Sequence, residues 1–192
     1  MQDLIRKAML DGIELRQQCT ELLLKPLTDA ADIMVQCLQS GGKILACGNG
    51  GSAADAQHFV AELVNRFEIN RRALAAISLT NDASVMTSIA NDFEFNAVFS
   101  RQVEALGRDR DVLLAISTSG DSPNVLKAID EAVALNMLTI ALTGRDGGKM
   151  GVHAGVNVNI NIPHASTARV QEMHITCLHI LCTLIDERMF GG

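Results

Sequence analysis

The sequence predicts an α/β fold: a three-layer sandwich with a five-stranded parallel sheet flanked by helices. Two patterns carry this expectation. Short apolar runs (KILACG, ALAAISL, DVLLAIS, MLTIALT and VNVNINIP) recur along the 192 residues, separated by segments with helical spacing of apolar positions, and such alternation implies a parallel sheet covered on both faces. Two of these runs pass directly into Gly-rich or Ser/Thr-rich turns, as buried parallel strands do.

Taken in order, residues 2–24 place Leu4, Ile5, Ala8, Met9, Ile13, Leu22 and Leu23 at helical spacing. Pro26 breaks or kinks the chain. A second helix is expected over 28–39, ended by Gly41-Gly42. The first strand, 43–48, leads through a glycine turn into a helix over 52–67. A strand follows near 73–79, then helices near 82–90 and 95–106. Strand 111–117, helix 122–135, strand 137–143, strand 156–163 and a long helix over 166–189 complete the chain. No linker, low-complexity stretch or repeat interrupts it, so residues 1–192 read as one domain, with 1–40 as an N-terminal helical extension. The apolar stripe Leu4/Ile5/Ala8/Met9 exceeds what covering a sheet requires and suits packing between subunits.

Composition excludes several function classes. Hydrophobic residues make up 48% and the net charge is −6, which fits a globular domain and argues against a nucleic-acid surface. Trp and Tyr are absent, so the usual stacking platforms for single strands are nearly missing. No uncharged apolar run approaches the ~18 residues of a membrane span. The N-terminus lacks a signal core, and five scattered cysteines without a CxxC pair suggest reduced thiols in the cytoplasm.

Open α/β sheets bind ligands at the carboxyl ends of their strands, and this selects two turns. Gly48-Asn49-Gly50-Gly51-Ser52 lets the backbone approach a ligand closely and aims helix N–H groups at it. The structural alternative is a tight turn with Ser52 as N-cap. No Lys-Ser/Thr follows, so this is not a Walker loop. Ser117-Thr118-Ser119-Gly120-Asp121-Ser122 carries four hydroxyls in six residues, which can ring a phosphate without Lys or Arg. Ser122 as a cap and Pro123 at the first helical position explain part of that turn but not the run 117–119.

His58 and Glu62, four apart on one helix, share a face and can supply metal ligands or an acid/base pair. A helix-surface hydrogen bond is the alternative. On the last helix Gln171 and His179 lie about 80° apart, on one side, while His174 is about 140° from His179 and faces elsewhere. His179, set among Ile, Leu and Cys, also fits a hydrogen-bonded core histidine. Asn91-Asp92 fits a helix end and turn.

The stretches GNGGSAADAQHFVAEL, IAND, LAISTSGDSPNV, LTGRDGG and RVQEMHITCLHI together resemble the phosphoheptose isomerases, sedoheptulose 7-phosphate isomerases of the sugar isomerase (SIS) superfamily, over nearly the whole chain. The resemblance implies a cytoplasmic homotetramer of SIS domains. Its activity would convert sedoheptulose 7-phosphate to D-glycero-D-manno-heptose 7-phosphate, the first step towards the ADP-heptose of lipopolysaccharide core. One zinc ion per subunit would be held by His58, Glu62, Gln171 and His179. Substrate contacts would fall on Asn49, Gly50, Gly51, Glu62, Asn91, Asp92, Ser117, Thr118, Ser119, Ser122 and Gln171, and Ser52 is expected to join the hydroxyls holding the phosphate. Glu62 is the expected base and His179 the opposing acid. The chain departs from some members at Ala168, where they carry an acidic residue before the Arg. A non-catalytic relative, the adaptor that associates with the DnaA replication initiator, is the alternative. The presence of both Glu62 and His179 favours the enzyme.

Overall fold

Five parallel strands in the order β2-β1-β3-β4-β5 form the centre of the molecule. The computed structural model describes residues 1–191. In chain order, α1 (Gln2–Leu22) and α2 (Leu24–Gln39) precede β1 (Ile44–Gly48) and α3 (Gly51–Val64). Next come β2 (Ala76–Ser78), α4 (Ala83–Asp92), a 3-10 turn (Phe95–Ala97) and α5 (Ser100–Leu106). The remainder is β3 (Val112–Ser117), α6 (Pro123–Ala134), β4 (Leu138–Gly144), α7 (Gly148–Gly151), β5 (Val158–Ile162) and α8 (Thr167–Phe190).

The period-2 alternation of strand side chains splits the core in two. Ile44, Ala46, Leu114, Ile116, Ile140 and Leu142 face one side, with α2, α3 and α8 packed over them. Leu45, Cys47, Leu113, Ala115 and Ala141 face the other, under α5 and α6. β1 and β3 are buried along their whole length, so their sequences read as unbroken apolar runs. α2 is part of the sandwich rather than an appendage: Leu27, Ala30, Ala31, Met34 and Leu38 are buried in the first cluster. α1 buries Leu15 and Cys19, is tied to α8 where Arg169 donates to the Ala8 carbonyl and Arg16 to Thr176 Oγ1, and leaves Leu4, Ile5, Met9, Leu10 and Ile13 more than half exposed.

Several boundaries differ from expectation for definite reasons. α2 begins at Leu24, so Pro26 sits inside the helix. It is accommodated because first-turn N–H groups have no intrahelical partner to lose. β2 pairs over only three residues, since it is an edge strand with one neighbour. The expected helix over 95–106 divides into the 3-10 turn and α5. The segment after β4 contains the short α7, which the glycines of RDGGKM gave no reason to expect.

His174 lies in the core. It is fully buried, and its Nε2–H donates to the Thr143 carbonyl at 2.9 Å. Burial pushes it down from 6.5 to about 4, the Thr143 contact offsetting part of the effect. In the unfolded chain the imidazole takes up its proton near 6.5. The native state therefore binds fewer protons between pH 6.5 and 4, and stability falls as pH drops through that window, by about 3 kcal/mol at most. His174→Leu should flatten that decline, read as the urea midpoint against pH.

Candidate active site

The sheet order makes β1 and β3 neighbours, with Gly48 in register with Ile116. β2 lies to one side and β4 to the other, so the turns after β1 and β3 open side by side at a topological switch point, where such sheets bind ligands. A reciprocal amide pair ties the two turns together. Asn49 Nδ2 donates to Asn124 Oδ1 at 2.8 Å, and Asn124 Nδ2 donates to Asn49 Oδ1 at 2.9 Å. Asn124, at the start of α6, is 2% exposed.

In the first turn Gly50 is the N-cap of α3. Ser52 is therefore the second helical residue rather than the expected cap, and it is buried. In the second turn Pro123 begins α6 as expected, with Ser122 before it, yet Ser122 makes no capping bond to the helix. Its hydroxyl instead meets Ser117 Oγ at 2.8 Å, and Ser119 Oγ lies 3.4 Å from Ser117 Oγ. The hydroxyls form a cluster of their own beside the positive end of α6. Gly120, at φ +70°, lies so close to Gly147 that a Cβ would fall 1.9 Å from its carbonyl oxygen. Met150 N–H donates to the Gly120 carbonyl and Lys149 N–H to Asp121 Oδ1, so the turn after β4 buttresses the hydroxyl turn.

The ionisable groups meet two turns along α3. His58 Nε2 stands 3.1 Å from Glu62 Oε1 and 3.1 Å from His179 Nε2 on α8. One imidazole must donate to the other, since two bare ring nitrogens do not attract. Phe67 stacks on His179 with centroids 5.5 Å apart. His179 is half-buried and faces α3, so the core-histidine role belongs to His174 and not to it. Gln171 reaches the first turn: a Cβ on Gly51 would fall 2.2 Å from its Nε2, and only glycine lets the amide approach so closely. Among the described residues no three His, Cys, Asp or Glu side chains form a ready-made metal cage. His58, Glu62 and His179 are a chain with His58 in the middle.

Asn91 and Asp92 are not drawn into this cluster by the chain's own hydrogen bonds. They are the last residues of α4, exposed, with Asn91 Nδ2 donating to Asp92 Oδ1 at 2.8 Å. Ala168 is exposed in the first turn of α8. Two site residues escaped the sequence reading. Asn124 gave no signal, standing in an ordinary amphipathic helix. Asp55 did give one: it precedes His58 by three and Glu62 by seven, on the same helix face. Its Oδ2 is buried without a partner, and burial raises its carboxyl from 3.8 to about 6, against the opposing pull of His58.

The model of the SIS domain matches residues 11–144. The phosphoheptose isomerase of Methylibium petroleiphilum is 50% identical over 188 residues, 97% of this chain and 94% of the relative. That of Neisseria meningitidis serogroup C is 50% identical over 193 aligned positions, 100% of this chain and 98% of the relative. The chain belongs to the phosphoheptose isomerase family of SIS-domain proteins. Solved phosphoheptose isomerases agree. The structure from Neisseria gonorrhoeae superposes with a TM-score of 0.92 at 48% identity, covering 97% of this chain and 98% of that one. The Francisella tularensis structure gives 0.92 at 41%, covering 96% and 97%.

In this phosphoheptose isomerase family member the amide pair sets the spacing of the two turns. Asn124→Leu strands the Asn49 amide and should cost about 1–3 kcal/mol in urea unfolding, with a larger rise in KM than fall in kcat for a phosphosugar.

Proposed function

We propose that the chain is an aldose–ketose isomerase converting sedoheptulose 7-phosphate to D-glycero-D-manno-heptose 7-phosphate, feeding ADP-heptose synthesis for lipopolysaccharide. The observation that carries this reading is the contact of His58 with both Glu62 and His179, beside a hydroxyl-lined turn and two helix N-termini.

The phosphate end is held by the first-turn N–H groups of α3 and α6 and by the hydroxyls of Ser52, Ser117, Thr118, Ser119 and Ser122, with Asn49, Gly50, Gly51 and Gln171 closing over the sugar. These are neutral donors, which suits a phosphate site on a chain of net charge −6. Isomerisation moves a proton from C1 to C2 through an enediol. Glu62 takes the C1 proton and returns it at C2, while His179 gives a proton to the C2 oxygen as the C1 oxygen loses its own. Asn91 and Asp92 are proposed substrate contacts through assembly, since the chain's own bonds leave them exposed.

The donor set fits zinc. Two imidazole nitrogens and a carboxylate oxygen meet through 3.1 Å contacts, near the roughly 3.3 Å between neighbouring ligands when bonds are ~2.0–2.1 Å. His58, Glu62, Gln171 and His179 would hold one ion per subunit, and when bound it supplies Lewis-acid polarisation of the sugar carbonyl. Glu62→Gln should lower kcat for sedoheptulose 7-phosphate by about 10²-fold or more and reduce zinc content, with little change in KM. Near-normal turnover would remove Glu62 as the base.

The exposed apolar stripe of α1 supports a homotetramer, and the five free, buried thiols suit the cytoplasm. Light scattering should give about four times the 20.6 kDa chain mass, and Leu4→Glu with Met9→Glu should yield smaller species.

A further inference from the structure

Outside the site, one buried ion pair stands where α3 ends against α8. Arg71 lies in the connection between α3 and β2, with its side chain 2% exposed; that of its partner Asp186 on α8 is 7% exposed. Arg71 Nε donates to Asp186 Oδ1 at 2.8 Å. Its two terminal nitrogens donate to the carbonyls of Leu63 at 2.8 Å and of Glu62 at 2.9 Å. These carbonyls belong to the last turn of α3, where the helix offers no N–H partners and its dipole favours a cation. One rigid guanidinium thus finishes the helix that carries Glu62 and fixes it to the helix that carries His179.

The placement is directed at the site. Glu62 is held by its own backbone carbonyl. Asp186 follows His179 by seven residues, two turns along the same face of α8. The surrounding contacts between α3 and α8 include Phe59, Leu63, Cys177 and Cys182, which are apolar and non-directional, and such packing tolerates small slides that the directional hydrogen bonds of one guanidinium do not. The pair is also a poor means of gaining stability. Asp186 Oδ2 is buried with no partner, and buried ion pairs are often matched or bettered by apolar residues of similar volume.

We infer that Arg71 and Asp186 are positioning residues of the isomerase, setting the separation of Glu62 from His179 through the end of α3. This rests on the functional reading above. Arg71→Met with Asp186→Leu fills the same space without charge. Its melting temperature should lie within a few degrees of the unmodified protein, while kcat for sedoheptulose 7-phosphate falls tenfold or more and KM stays within about twofold. Asp186→Asn keeps the acceptor for Arg71 Nε and should retain kcat within about threefold, whereas Asp186→Leu alone should not, both compared at equal folded fraction. A double variant that melts normally and keeps its kcat would overturn the inference, as would equal kcat for the Asn and Leu variants. Absence of turnover in the unmodified protein would instead overturn the isomerase reading itself.

Discussion

The adjacency of β1 and β3 is the constraint on which the rest of the site depends. Because the chain leaves β1 for one edge of the sheet and reaches the other edge from β3, the turns after these strands cannot be covered by a crossing connection. Both feed helices whose N-termini point the same way, and the Asn49–Asn124 pair converts that proximity into a fixed spacing. The proposed phosphate end on a chain of net charge −6 then rests on dipoles and hydroxyls alone. The local field there is set by oriented neutral groups, which the overall charge does not reveal.

The strands and both turns were legible because buried parallel strands are written as contiguous apolar runs and their turns as glycine or hydroxyl clusters. Helix phase was legible too, placing His58 with Glu62 and separating His174 from His179. What local pattern did not contain was the partner of each face. His174 and His179 sit among the same residue types. Thr143 on β4 makes one of them a core residue, and the other pairs with His58 on α3. Capping rules failed at Ser52 and Ser122 for a related reason. At the first turn glycine takes the cap position, and at the second the hydroxyl has a nearer partner in Ser117. Asn124 was invisible because its significance lies wholly in Asn49, 75 residues earlier.

The two ends of the site are built on opposite principles. At the proposed phosphate end, Ser117, Ser119 and Ser122 satisfy one another, and a hydroxyl can turn its proton from a neighbour to a ligand. Such a turn can offer donors to an anion without changing its own charge. At the chemical end the groups are ionisable and remain partly open to solvent: the side chain of His58 is 46% exposed and that of Glu62 26%.

This openness bears on whether Glu62 and His179 serve as ligands or as proton carriers. Two Nε2 atoms at 3.1 Å, with a carboxylate oxygen 3.1 Å from one of them, make an acceptor set that calls for a positive centre. A neutral imidazole pair meets that demand with one shared N–H. A divalent cation meets it more strongly but must displace that proton, because a ring nitrogen cannot hold both. Metal and proton are therefore competitors for the same atoms, and occupancy by one changes what the other can do. Asp55, three residues before His58 with its own unpartnered buried oxygen, adds negative potential beside the pair. Its carboxylate, where ionised, favours a cation at that junction, and burial opposes that ionisation by raising the Asp55 carboxyl to about 6.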